Sequence, residues 1–116
     1  IEPDMTVNLL VLFELNSAVL TQTNMVKIEE FANFVQAFPN LQILIEAHTD
    51  VRGSDEYNQL LSMRRANAVA TTLVEMFDIK KSRIESIGYG ETQLVNLENT
   101  KFAHQENRRV LAKLYK

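Results

Sequence analysis

Apolar positions recur at two different periods along this chain, and the switches between them mark out its elements. From Val7 to Phe13 the residues Val7, Leu9, Val11 and Phe13 alternate with Asn8, Leu10 and Leu12. Both faces of that segment are largely apolar, which predicts a first strand covered on both sides and central in its sheet. Between residues 21 and 38 the period lengthens: Met25, Ile28, Phe31, Val35 and Phe38 recur every three to four positions, the spacing of one helix face. Thr21 and Thr23 are its candidate N-caps. Pro39 stops it, because the residue before a proline avoids the helical region.

Leu41 to Ala47 returns to period two, with Leu41, Ile43, Ile45 and Ala47 inward and Gln42 and Glu46 outward. The loop from Asp50 to Ser54 contains Gly53, which can take a positive φ. Ser54 or Asp55 is placed to cap a helix that runs to Phe77, with Ala66, Val69, Ala70, Leu73 and Phe77 as its buried stripe. Arg83 to Ile87 predicts a third strand ending in a Gly88, Tyr89, Gly90 turn. Arg109 to Tyr115 predicts a fourth, with Val110, Ala112 and Leu114 inward. The polar stretch Glu91 to Asn107 is long for a loop and is expected to hold a short helix or to border the functional site. The order βαβαββ predicts an α+β two-layer sandwich: a small mixed four-stranded sheet with helices packed on one face.

Length and composition narrow the class. With 116 residues the chain is read as one domain, 1–116, and 46% apolar with 23% charged residues excludes intrinsic disorder. The longest apolar run, LLVLF, is strand-sized and far short of the roughly 20 residues that cross a bilayer. The chain opens at Ile1 without an initiator Met or a basic leader, as a mature product or an excised domain would. Zero cysteines suit a reducing or an oxidising compartment equally. A net charge of -3 argues against a nucleic-acid partner, since such partners demand concentrated positive charge. Basic residues cluster only as Arg64 with Arg65, Lys80 with Lys81 and Arg108 with Arg109.

The candidate chemistry lies at the exits of the first two strands and on the second helix. Ligands of sheets with following helices sit beyond the carboxyl ends of strands, where Asn16 and Asp50 fall. On a wheel of 100° per residue, Asn58, Leu61, Ser62 and Arg65 share an arc of roughly 100° beside the core stripe, so they can line one groove with Asp50. The spacing of Thr49, Asp50, Leu61, Ser62, Arg65, Ala66, Val69 and Leu73 is that of a family signature, and further blocks stand in order around it: VLFELNSAVL (11–20), IGYGE (87–91) and NRRV (107–110). Together these resemble the OmpA-like, or OmpA/MotB C-terminal, domain that binds peptidoglycan in Gram-negative bacteria. The resemblance runs over nearly the whole chain.

That resemblance implies recognition of meso-diaminopimelate, whose side-chain end carries an ammonium and a carboxylate on one carbon. Asp50 would accept from the ammonium and Arg65 would present a planar fork to the carboxylate, a bidentate match that a lysine in its place could not reproduce. By resemblance, Asn16, Asn58 and Leu61 are further ligand-contacting positions, and Arg108 supplies a second guanidinium to stem-peptide carboxylates. It implies no cofactor, no metal and no catalysis. It places the domain in the periplasm, soluble in itself but carried by a membrane-attached parent, at the outer membrane in preference to the inner. Some members dimerise, so a homodimer is a further expectation. Four departures stand out: Glu14 for the usual Asp, Ala47 for a common Gly, Arg52 two residues from Asp50 where it can neutralise it, and Gln93 with Leu94 where a Pro often follows the glycine turn.

Plainer roles compete at each position. Asp50 can cap a helix or pair with Arg52, Arg65 can pair on a helix surface, Asn16 and Asn58 can satisfy turn backbone, and Arg108 and Arg109 can guard a sheet edge. An enzyme would use Glu46, His48 and Asp50 as metal ligands or as an acid and base, but His104 is the only other histidine and no second ligand pair supports a metal. Ser62 lacks the glycine-flanked elbow of a nucleophile, and Gly88 with Gly90 are too few for a phosphate cradle. The remaining alternative is a protein-interaction or dimerisation module of an envelope or flagellar stator protein.

Overall fold

Gln42–His48 and Arg109–Tyr115, the segments with the cleanest alternation, form the central pair of a four-stranded sheet. The computed structural model describes residues 2–116, so the reading of Ile1 lies outside the described residues. In chain order the elements are β1 (Met5–Asn8), α1 (Gln22–Gln36), β2 (Gln42–His48), α2 (Asp55–Phe77), β3 (Ile84–Gly88), α3 (Lys101–Asn107) and β4 (Arg109–Tyr115), with a 3-10 turn at Lys81–Arg83. The strand order is β1-β4-β2-β3. β2 runs parallel to β3, while β4 is antiparallel to both β1 and β2. This is the mixed α+β sandwich expected. The polar stretch before β4 resolves into a loop and α3, capped by Thr100, whose hydroxyl accepts from Ala103 N at 3.0 Å.

Register explains where the core sits. Ile43, Ile45 and Ala47 of β2 face Leu114, Ala112 and Val110 of β4, and all six are buried beneath α1 and α2. Ile28, Phe31 and Val35 of α1 and Ala66, Val69 and Leu73 of α2 close the layer from above. Burying each of the larger aliphatic or aromatic side chains contributes about 1.5–3 kcal/mol, which is what fixes the helices on that face. Thr21 caps α1 and Ser54 caps α2, each accepting from a backbone N–H three residues on. Asp55 and Glu56 complement the positive end of α2. Arg83 closes the far end of α1 by donating to the carbonyls of Val35, Phe38 and Leu41.

Three expectations need correction. The first strand is neither central nor seven residues long: β1 stops at Asn8 and lies at the sheet edge. Leu10 adopts a left-handed φ of 58°, where a strand cannot continue, and its N–H turns to Asn8 Oδ1. Leu9 and Val11 still reach the core, but Leu10 and Leu12 are exposed, so only one face of the segment is covered. Phe38 lies beyond the end of α1 and is half exposed, outside the helix stripe. Glu46 does point away from the helices, yet it is 1% exposed. His48 Nε2 at 3.2 Å and Lys113 Nζ at 2.8 Å bury it within a polar cluster on the helix-free face.

Candidate functional site

Asp50 leaves β2 on a short, heavily tied turn. Thr49 N donates to Gly90 O at 2.8 Å and Tyr89 N to Ala47 O at 3.0 Å, which sews the β2 exit to the turn after β3. Gly90 has a φ of 55° and donates its N–H to Ser62 Oγ, so the same turn is anchored to α2. Asn58 Nδ2 completes the frame by donating to the carbonyls of Asp50 and Arg52 and to Glu91 Oε1. Gly53, at a φ of 94°, lets the loop turn back to the start of α2, as its position in the sequence suggested.

Across from this turn, Arg65 rises from α2 and is 6% exposed. Its Nε donates to Ser17 O at 2.8 Å and its Nη2 to Glu14 O at 3.1 Å, which pins the turn following the first apolar segment. Its guanidinium carbon lies 4.9 Å from the centre of the Phe13 ring. Two of its five N–H groups are thus engaged and three remain. Asn16, at a left-handed φ of 56°, is held in this turn and exposed.

Between the two walls lies a cleft of about 400 Å³. Asp50, Arg65, Asn16, Asn58, Leu61 and Arg108, the six residues singled out in the sequence, all line it. Asp50 is the one acidic residue in the lining, against three arginines at 52, 65 and 108. Its Oδ2 accepts from Arg52 Nη2 at 2.6 Å and from Arg108 Nη1 at 2.8 Å, and its Oδ1 accepts from Arg52 N at 2.9 Å. Burial by itself would raise its pKa, but the hydrogen bonds from Arg52 and Arg108 outweigh that and hold the carboxyl down to about 2. Burial, then the like charge of Arg108, lowers the pKa of Arg65. The excess positive charge and the unspent donors of Arg65 give the cleft the chemistry to accept an anionic or zwitterionic group.

Phe13, Leu15 and Tyr57 complete the apolar part of the cleft and were not singled out as site residues in the sequence. Tyr57, Leu61 and Arg65 stand four apart on α2, so helical spacing was the signal for Tyr57. The enzymatic arrangement does not assemble: His48 meets Glu46, but Asp50 turns away to its two arginines. Among the described residues no cluster of three His, Cys, Asp or Glu could hold a metal.

Residues 12–108 match the model of the OmpA family. Outer membrane porin F of Pseudomonas aeruginosa is 36% identical over 108 residues, covering 93% of this chain and 31% of the porin. A peptidoglycan-associated lipoprotein of Legionella pneumophila is 33% identical over 103 residues, covering 89% of this chain and 58% of the lipoprotein. The chain therefore spans between about a third and three-fifths of the length of these relatives. The crystal structure of the peptidoglycan-associated lipoprotein from Burkholderia pseudomallei superposes with a TM-score of 0.77 at 28% identity, covering 90% of this chain and 86% of that one.

Proposed function

The chain belongs to the OmpA family, and from that premise we propose that it binds Gram-negative peptidoglycan non-covalently, gripping the meso-diaminopimelate of the stem peptide and so anchoring a parent envelope protein to the wall. The observation that carries this reading is the pairing of one buried carboxylate, Asp50, with one incompletely engaged guanidinium, Arg65, in a single cleft. The relatives are named as porins and peptidoglycan-associated lipoproteins, and the domain is a binding module of the cell envelope, not an enzyme.

In the proposed complex the ligand ammonium takes the place of Arg52 at Asp50 Oδ2, while the neighbouring carboxylate receives the free Nη donors of Arg65. Arg52 is the member open to water, with a side chain 57% exposed, whereas that of Asp50 is 6% exposed. A lysine side chain, which has the ammonium and lacks the carboxylate, would meet an unfilled guanidinium fork. Each charge-assisted bond contributes about 1.5–3 kcal/mol, enough for discrimination with moderate affinity. Arg108 adds charge to the cleft and steadies Asp50. Asn58 has its amide N–H groups committed to the loop and acts by holding Asp50 in place. Asn16 and Leu61 supply the remaining walls.

On this reading the parent lies in the periplasm, tethered at the outer membrane in preference to the inner; the relatives' names, an outer membrane porin and a peptidoglycan-associated lipoprotein, support an envelope location. Co-sedimentation of the domain with purified sacculi tests the proposal. Wild type should pellet with diaminopimelate-type walls, and Asp50→Ala and Arg65→Ala should stay in the supernatant. Retention of both variants on the wall would refute it.

A further inference from the structure

Adjoining the cleft is a second, smaller cavity of about 170 Å³. Phe13, Arg65 and Arg108 line both, and the second adds His48, Gln105 and Arg109. No aspartate or glutamate lines it. A guanidinium withdrawn from water needs acceptors; Arg108 has Asp50, but no carboxylate around this volume compensates Arg65 or Arg109.

The hydrogen bonds sharpen that imbalance. Arg109 donates only to the carbonyls of Asn107 and Gln93, and Arg65 only to those of Ser17 and Glu14, so neither forms an ion pair among the described residues. Burial lowers the pKa of both, outweighing the pull of Glu46 on Arg109 and of Asp50 on Arg65. Arg83 offers a contrast: it too is bound by carbonyls, but all its bonds go to closing the end of α1 and it stands outside this cavity. Two of the five N–H groups on each of Arg65 and Arg109 are spent, which leaves a wall rich in free donors.

His48 supplies the complementary group. Its Nε2 lies 3.2 Å from Glu46 Oε1, which requires that nitrogen to carry the proton, and its Nδ1 is buried without a partner. Burial and the charge of Arg109 lower its pKa, so the ring is neutral and Nδ1 offers a lone pair. The lining thus combines guanidinium donors for an anion with a histidine whose Nδ1 acceptor is unspent.

We infer that this annex holds the terminal carboxylate of a peptide together with the amide N–H of the same residue, the carboxylate on Arg108 and Arg109 and the N–H on His48 Nδ1. The inference rests on the reading of the cleft as the zwitterion site, and it narrows the ligand. A stem peptide that ends at its diaminopimelate carries this carboxylate and N–H on the same residue as the zwitterion. One extended by a further residue moves the carboxylate out of register.

Calorimetric titration with two synthetic tripeptides tests it: L-Ala-γ-D-Glu-meso-diaminopimelate, and the same peptide with only its stem-terminal carboxyl amidated. Wild type should bind the acid about tenfold more tightly than the amide. Arg109→Gln should bind both alike, near the wild-type affinity for the amide, and Asp50→Ala should lose both. If wild type binds acid and amide equally while Asp50→Ala abolishes both, the annex is overturned and the zwitterion site stands. If wild type binds neither, both readings fall. Thermal melts confirm that Arg109→Gln is folded; should it not be, the acid-to-amide ratio of wild type decides alone.

Discussion

Asp50 Oδ2 lies 2.6 Å from Nη2 of Arg52, so the carboxylate of the cleft is already paired before any ligand arrives. The partner that must yield is exposed, and an exposed ion pair contributes little net stability because water and salt compete for it. In the proposed complex Arg52 is therefore a competitor for the ligand ammonium. Arg52→Gln is expected to tighten binding of diaminopimelate peptides by up to about fivefold, as the loss of a surface pair of roughly 1 kcal/mol would allow. Calorimetry on the variant checks this, and weaker binding would mean that Arg52 itself grips the ligand.

The same pairing makes the fold sensitive to acid. The Asp50 carboxyl, at about 2 in the folded chain against 3.8 as its ordinary value, holds its proton less tightly when folded than when unfolded. Its contribution is complete above about pH 4 and is lost as pH falls through 2, with an upper size of about 2 kcal/mol. Urea unfolding of wild type and Asp50→Asn between pH 5 and pH 2 should converge toward the acid end. Parallel profiles would contradict the assignment.

Ser62 belongs to the same sequence framework as Asp50 and Arg65, yet its work is structural. Its hydroxyl donates to Gln59 O and accepts from Gly90 N, both at 2.9 Å. Ser62→Ala leaves a buried N–H without an acceptor, a cost of about 1–3 kcal/mol. A lowered denaturant midpoint with ligand affinity retained is the expected result.

Close packing of the neighbouring glycine predicts a larger loss. A Cβ on Gly88 would run into backbone atoms of Met63 and Ser62, so β3 and α2 would have to separate. Gly88→Ala is expected to cost more than Ser62→Ala in the same denaturation experiment, because main-chain atoms cannot rotate away as a side chain can. An unchanged midpoint would show that the two elements are less tightly joined than described.

How much of this was legible follows from how local each cause is. β4 was read with its bounds because Val110, Ala112 and Leu114 alternate without interruption, and α2 because Ser54 caps a long periodic run. Of the six cleft residues, Asp50, Leu61 and Arg65 came from fixed spacing along one framework, Asn58 from the same helix face, Asn16 from its place after the first apolar segment, and Arg108 from the family resemblance alone. The end of β1 was not legible, since the left-handed turn at Leu10 interrupts an apolar alternation that continues past it. The burial of Glu46 was hidden because its partner Lys113 comes from the far end of the chain. The Arg108 bond to Asp50 spans 58 residues, and only the sheet register brings His48 opposite Arg109 and so sets β4's start beside the β2 exit.

The most direct test of the central claim is the dissociation constant of wild type for a meso-diaminopimelate stem peptide against the same peptide with lysine in its place. The account predicts clear preference for the diaminopimelate peptide, abolished in Arg65→Ala, since the carboxylate that lysine lacks is what Arg65 reads. Equal affinity for the two peptides, or a preference that survives in Arg65→Ala, would contradict it.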